Sequence, residues 1–285
     1  MDDAPVLIIV DAGRRHSIGL RRNGTVVATG HGGAGELAVG HWTDAISVAA
    51  GNVHPAKNTG QSHSVALLRG GQVRATGWNG DGQCDVQTWA GVVAIAAGWR
   101  RTLGVLGDGT VIAAGRRGEG ACEVSSWRDV VAVSCGDWHS VGLRADGTAV
   151  AAGSNQCGQC DVQEWKDLRA ISAGYLHTVA VTREGRVVAT GAEATGALRI
   201  DQWRDVVSVA AGSLHTVGLT SSGRVLATGN NDDGQCDVDT WTGVVAIAAG
   251  AQHTLGLRRD GSVVATGRND VGQAEVAQWS DLRTP

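Results

Sequence analysis

Hydrophobic positions in this chain fall into short runs that stop at glycine, and the runs return at a fixed period. The stretch Thr242–Trp279 shows the unit: VVAIAAG, then HTLGL, then SVVATG, then a compact segment that ends in tryptophan. Each run is short, rich in valine, threonine and small residues, and bounded by glycine, which predicts a strand. Between the second and third runs stands a turn signal: Asn23-Gly24, Asp108-Gly109, Asp146-Gly147, Glu184-Gly185, Ser222-Gly223 and Asp260-Gly261. The glycine supplies the positive φ that a tight hairpin requires. A fourth strand, CDV or its equivalent, is predicted to end at the tryptophan. We designate the four strands A to D in order within each unit. No segment carries a sustained helical period, so almost no helix is expected.

The tryptophans set the repeat. Trp89, Trp127, Trp165, Trp203, Trp241 and Trp279 are spaced thirty-eight apart, and Trp42 precedes Trp89 by forty-seven. Seven units tile the chain: Pro5–Trp42, Thr43–Trp89, Ala90–Trp127, Arg128–Trp165, Lys166–Trp203, Arg204–Trp241 and Thr242–Trp279. A fixed period of this size decides the architecture before any local motif does. Four antiparallel strands repeated seven times predict an all-β, seven-bladed β-propeller spanning residues 1–285 as one domain, because radial repetition leaves only short, protected edges. The small residues that end strand A, such as Ala49-Ala50-Gly51 and Ala248-Ala249-Gly250, suit crowding near an axis. The tryptophan column is expected to seal adjacent blades, each ring removing roughly 150–250 Å² from water. An open solenoid would need polar caps, and neither end departs much from the pattern. The tail Ser280-Asp281-Leu282 begins an eighth unit, so the first A–B pair is expected to complete a blade with the last C–D pair.

These residues carry a resemblance. The pattern G-x-x-H-[ST]-x-[GA]-L, followed by D-G-x-V-x-A-x-G and N-x-x-G-Q, resembles the repeat of the regulator of chromosome condensation family. The first part stands at Gly136–Leu143, Gly174–Val181, Gly212–Leu219 and Gly250–Leu257. The last stands at Asn79–Gln83, Asn155–Gln159, Asn231–Gln235 and Asn269–Gln273. The even spacing and compact D segment look most like the bacterial members. The resemblance implies a propeller. It leaves function open, since such repeats serve in a Ran nucleotide-exchange factor and in a secreted bacterial inhibitor of β-lactamases. No exchange-factor active loop matches any residue of this chain.

A repeat protein supplies its own control: a residue shared by most units builds the blade, and one that breaks its column is free to serve a partner. His16, His63, His139, His177, His215 and His253 share one column, which reads as a blade-building hydrogen bond to a backbone group. Equivalent atoms in seven blades lie too far apart for one metal, whose imidazole ligands sit roughly 2.0–2.1 Å away. Cys84, Cys122, Cys160 and Cys236 share another column and Cys135 replaces an alanine, so these read as small buried hydrophobes. Cys157 is off-column, but Cys157-Gly-Gln-Cys160 lacks the strand-to-helix context of a redox motif.

The exceptions gather. Apart from the seven columnar tryptophans, the aromatic residues are Trp78, Trp99, Trp138 and Tyr175. All four fall in A–B or C–D loops, which emerge on one face of a four-stranded meander, along an arc of repeats two to five. Repeat two also carries a nine-residue insertion within Asn52–Ser62, with His54, Pro55 and Lys57. Arg100 and Arg101 follow Trp99, and Arg101 replaces the columnar histidine; Arg116 and Arg117 occupy the neighbouring C–D loop. Arg14 and Arg15 lie in the first A–B loop, and Asn230, Asn231, Asp232 and Asp233 on the opposite arc give the face an acidic side. Tryptophan, tyrosine and arginine are the residues that most often anchor interfaces.

Bulk properties narrow the classes. A formal net charge of −4 carries no field that would attract nucleic acid, and no apolar run reaches the eighteen or so residues of a membrane span. The start, MDDAPVLIIVDAG, has no basic segment ahead of a cleavage site, so a cytoplasmic protein is expected. The leading expectation is a non-enzymatic scaffold that docks a protein partner with an acidic surface through Trp78, Trp99, Arg100, Arg101, Arg116, Arg117, Trp138, Tyr175, His54 and Lys57. An enzyme inhibitor is one concrete form of it. The alternative is a small molecule or carbohydrate at the channel mouth, where aromatic platforms beside arginine suit sugars or anions. An enzyme ranks below both: no nucleophile elbow, phosphate loop or metal-ligand cluster is present, and His54, Cys157 and Glu119 are off-column with nothing to unite them. No cofactor and no metal is implied.

Overall fold

The computed structural model describes residues 7–52 and 61–285. His54 and Lys57, together with the middle of the insertion, lie outside the described residues. Each repeat folds into its own antiparallel sheet with strands in the order A–B–C, and the described residues form seven such sheets. In the first, the strands are Val10–Ala12, His16–Leu20 and Val26–Gly30; in the fourth they are Val130–Cys135, His139–Arg144 and Ala149–Gly153. No helix occurs among the described residues. Strand A of every sheet packs on strand A of the next, and the first sheet's packs on the seventh's, so the sheets form a closed ring with the A strands innermost. The chain is a β-propeller.

The predicted fourth strand is not formed. The D segments are successions of turns, and their side chains explain why. Asn79 Oδ1 accepts Cys84 N at 2.7 Å, its Nδ2 donates to Asp85 Oδ1 at 2.8 Å, and Gly82 at φ 81° lets Asp85 N reach back to Gly82 O at 3.1 Å. Asn155 and Asn231 repeat the arrangement with Cys160 and Cys236. Local side-chain bonds thus supply partners that a ladder would otherwise provide. The columnar thiols join in: Cys122 Sγ lies 2.9 Å from Arg116 O and Cys160 Sγ 3.3 Å from Ser154 O. Burial pushes the Cys84 thiol up to about 12, so these cysteines remain protonated and unreactive.

The tryptophan column seals the blades as expected. Trp127 is 5 % exposed and lies against the middle of the next blade's strand B, where a Cβ built on Gly142 would come within 2.9 Å of the ring. Gly104, Gly218 and Gly256 face Trp89, Trp203 and Trp241 in the same way. Glycine in the H-[ST]-x-G-L run is therefore the space left for an indole from the preceding repeat.

The histidine column differs in its partner. Each imidazole bonds to a hydroxyl of the following blade: His63 Nε2 to Thr102 Oγ1 at 2.9 Å, His139 to Thr178 at 2.8 Å, His177 to Thr216 at 3.1 Å and His215 to Thr254 at 3.0 Å. His16 reaches Ser64 at 3.0 Å, and His253 closes the circle on Ser17 at 2.9 Å. Thr102, Thr178, Thr254 and Ser17 in turn donate to backbone carbonyls at 2.7–2.8 Å. A hydroxyl has one hydrogen to give, so at these four contacts Nε2 must be the donor, which fixes the neutral Nε2–H tautomer there. Desolvation agrees, holding the six imidazoles at about 3 to 4, well below the ordinary 6.5.

The ring closes by a different splice from the expected one. The first A–B pair pairs with its own strand C, not with strands of the last repeat. The tail instead replaces the missing start of the first strand A. Leu282 bridges Arg21 at the position where Ala45 meets Leu68 in the second sheet. Arg22 N donates to Asp281 O at 3.0 Å and Leu282 N to Gly261 O at 3.2 Å, copying Arg69 N to Asp44 O and Ala45 N to Gly24 O. Asp281 even takes the left-handed φ of 59° that Asp44, Asp129, Asp167 and Asp205 take before their own A strands. Leu282 is fully buried.

Candidate functional site

The loops that follow strands A and C emerge together. The amide that follows each strand C returns to the A–B loop of its own sheet: Trp78 N to Ser62 O at 2.8 Å, Arg116 N to Arg100 O and Ser154 N to Trp138 O, both at 2.9 Å. The column-breaking residues of both loops therefore share one face.

On that face five of them form a stack. Arg100, at the left-handed φ of 59°, turns its guanidinium between two indoles, 4.5 Å from the Trp78 ring centre and 4.8 Å from that of Trp99. Arg116 covers Trp99 from another side at 4.8 Å. Trp138 meets Trp99 edge-on, with ring centres 4.3 Å apart at 63°. Trp99 is thus the hub, only 6 % exposed, and its Nε1 hydrogen has no partner among the described residues. Cation–π contacts of this kind contribute on the order of 0.5–2 kcal/mol each, more as water is excluded. Trp78, Trp138 and Arg117 remain partly or fully exposed around the hub.

The charges are more balanced than the sequence implied. Arg100 Nη1 lies 3.3 Å from Asp81 Oδ2. Glu119 takes Arg116 in a fork, with Nη2–Oε1 at 2.5 Å and Nε–Oε1 at 2.7 Å. Arg117 alone of these arginines is exposed, and it makes no ion pair among the described residues. Asp81 was missed in the sequence because it lies inside the N-x-x-G-Q motif and looks columnar. On the far arc Asp270 joins Arg268 at 2.7 Å and Arg15 at 3.3 Å, and these arginines hold its carboxyl well below the usual carboxylate range.

One expected anchor sits elsewhere. Arg101 is 2 % exposed and belongs to the ring, not the face. Its Nε donates to Ser140 Oγ at 2.9 Å, the bond the columnar histidines make in the other repeats. The rest of the guanidinium goes to the carbonyls of Asp137 at 2.8 Å, Gly136 at 2.5 Å, Trp99 at 3.4 Å and His139. It is a longer replacement for histidine, and nothing of it is left for a partner. Tyr175 is half-buried in the A–B loop of repeat five and occupies the column of Trp99 and Asp137.

The model of the regulator of chromosome condensation (RCC1) repeat matches residues 8–36, 58–83, 130–159, 168–196, 206–235 and 244–273, more than half of the chain. The chain belongs to the RCC1 repeat family. The third repeat, which holds Trp99, Arg100 and Arg101, lies outside these matched segments. No curated protein matches in sequence. Among solved structures, human WBSCR16 superposes with a TM-score of 0.71 at 16 % identity, over 90 % of this chain and 87 % of that one. Prp20p from Saccharomyces cerevisiae, described with its binding to Gsp1p and histones, gives 0.67 at 17 % over 84 % and 76 %. The ectodomain of the Arabidopsis thaliana receptor kinase ACR4 gives 0.64 at 20 % over 79 % and 86 %. At such identities the likeness is one of fold. This RCC1-repeat propeller therefore has its architecture in common with them, while the Trp–Arg stack has to be read from its own residues.

Proposed function

We propose that this RCC1-repeat propeller is a non-enzymatic scaffold whose A–B/C–D loop face docks a protein partner. The observation that supports this most is the stack of Trp78, Arg100, Trp99, Arg116 and Trp138, five column-breaking residues that converge on one face. Aromatic and arginine side chains already ordered by one another lose little rotamer freedom on binding, which favours a hot spot. The free charge of Arg117 at the rim favours an acidic patch on the partner. Relatives of the same fold bind proteins: Prp20p has been described with Gsp1p and histones, and yeast RCC1 (Prp20) has been solved bound to Kap60. Inhibition of a partner enzyme is one form such docking can take.

The test is affinity capture from source-cell lysate followed by quantitation of each retained protein at low and high salt. Trp138→Ala is expected to weaken the specific partner by about 2–4 kcal/mol. Arg117→Glu is expected to slow association and flatten its salt dependence. Asn230→Ala, on the opposite arc, serves as control and should leave retention unchanged. If the Trp138 and Arg117 variants retain the same proteins with the same salt dependence as the unaltered chain, the loop-face reading fails.

A further inference from the structure

The axis carries residues that the loop face does not use. The A strands enclose a channel of about 190 Å³ whose wall is largely alanine and serine, including Ala97, Ser134, Ser172 and Ala211. Two charged residues that line it break their columns. Asp11 stands where the other repeats have Ala49, Ala96, Ser134, Ser172, Ala210 and Ala248. Arg169 stands where they have Ile46, Val93, Val131, Val207 and Val245.

Asp11 is enclosed by the ring yet borders the channel. Its Oδ2 accepts Ala50 N at 2.8 Å and its Oδ1 accepts Ala12 N at 2.9 Å, so each oxygen keeps a lone pair. Asn52, 8 % exposed, reaches from the second blade past the first to donate from Nδ2 to Ala249 O of the seventh at 3.3 Å. That path carries its side chain across the first blade, to which Asp11 belongs. Asn52 Oδ1 is buried without a partner among the described residues. The two side chains give this part of the wall a carboxyl and an amide oxygen, both acceptors.

The serines that hold the same column show that the fold does not need an acid there. Ser134 and Ser172 accept Ala173 N and Ala211 N at 3.0 Å, as Asp11 accepts Ala50 N. Desolvation raises the Asp11 carboxyl to about 7 from 3.8, against the pull of its two amides. A half-buried acid where serine would do costs the fold stability while it is charged. Arg169 is exposed at the bulge three positions closer to the start of its strand, roughly 7–10 Å along it at about 3.3 Å per paired residue.

We propose that the channel binds a small zwitterionic amine, with its ammonium group between Asp11 and Asn52 Oδ1 and its anionic end paired with Arg169. The ammonium supplies hydrogens to the acceptors on the wall and restores the charge of the carboxylate. The guanidinium at the other end holds the acid group. The site is independent of the loop face and stands whether or not that face docks a protein.

Titration calorimetry on the full chain tests this with three probes: 6-aminohexanoate, hexylamine and hexanoate. The zwitterion is expected to bind most tightly. Asp11→Ser, which installs the residue found at Ser134 and Ser172, is expected to weaken it by at least about tenfold while raising the thermal midpoint at pH 8. Arg169→Ala is expected to bring 6-aminohexanoate down to the level of hexylamine and leave hexylamine unchanged. Saturable binding by none of the probes overturns the proposal, and so does an Asp11→Ser protein that binds 6-aminohexanoate undiminished. Hexylamine binding as tightly as the zwitterion overturns the assignment of the anionic end.

Discussion

Lowering the pH from 8 to 5 is expected to unfold the propeller cooperatively, with a midpoint between about pH 5 and 6. The six columnar imidazoles are held neutral at about 3 to 4 in the folded ring, whereas in the unfolded chain each titrates at its ordinary 6.5. Their folded values are depressed, so the stability they confer is complete above roughly pH 6.5 and drains away as pH falls toward the folded values. At pH 5 each forfeits about 2 kcal/mol, so six together forfeit about 12 kcal/mol. That is comparable with the whole net stability of a typical protein, about 5–15 kcal/mol. Asp11 acts in the opposite sense. Its folded value of about 7 lies above the unfolded 3.8, so stability is regained as pH falls between the two. The gain is at most about 4 kcal/mol, and less because Asp11 is only half-buried, so the histidines prevail. Tryptophan fluorescence followed against pH measures the transition. A protein still folded at pH 4 would show that the imidazoles are not sequestered.

Arg101→Ala is expected to destabilise the protein by about 3–5 kcal/mol, measured by denaturant unfolding. The substitution strips a hydrogen bond from Ser140 and leaves the carbonyls of Gly136 and Asp137 buried without the guanidinium donor, while His139 O keeps its bond from Gly136 N at 3.0 Å. It also opens a cavity between the third and fourth blades. Arg101→His should recover part of the loss, because an imidazole at this column reaches the next blade's hydroxyl in six other repeats. A residue serving a partner would behave differently, losing binding with stability intact. Should Arg101→Ala unfold at the same denaturant concentration as the unaltered chain, the guanidinium is not part of the ring.

How far these residues could be read from sequence follows from what a column records. Trp127 and Gly142 each recur at one period, and their packing against one another is a regular property, so the blade seal was legible. The histidine column was legible as structure, but its acceptor was not, because Thr178 lies thirty-nine positions from His139 and only folding brings them together. The fourth strand was misread because Cys-Asp-Val alternates like a strand, while the preceding asparagine captures the backbone amide of the cysteine. At the candidate site, breaking a column told where chemistry changes but not which way a side chain faces. Trp78, Arg100, Arg116 and Trp138 do converge around Trp99, yet Trp99 lies beneath them as a foundation and Arg101 turned inward to do histidine's work. Asp11 and Arg169 broke their columns just as visibly. Neither is aromatic or on a loop, and only the folded ring brings them to one axial wall.

The propeller divides its residues into those that make the ring and those that the ring displays. Thermal unfolding of four single variants under one condition measures that division. Trp203→Ala and Thr178→Val alter columns; Trp78→Ala and Arg117→Ala alter the displayed arc. The first pair is expected to lose many degrees, since removing a buried tryptophan costs about 3–5 kcal/mol and Thr178→Val leaves a buried imidazole donor unpaired. The second pair is expected to lose far less, since Arg117 is exposed and Trp78 gives up mainly its contact with Arg100. Equal losses in both pairs would mean that the arc is as structural as the columns, and the function assigned to it would have no basis.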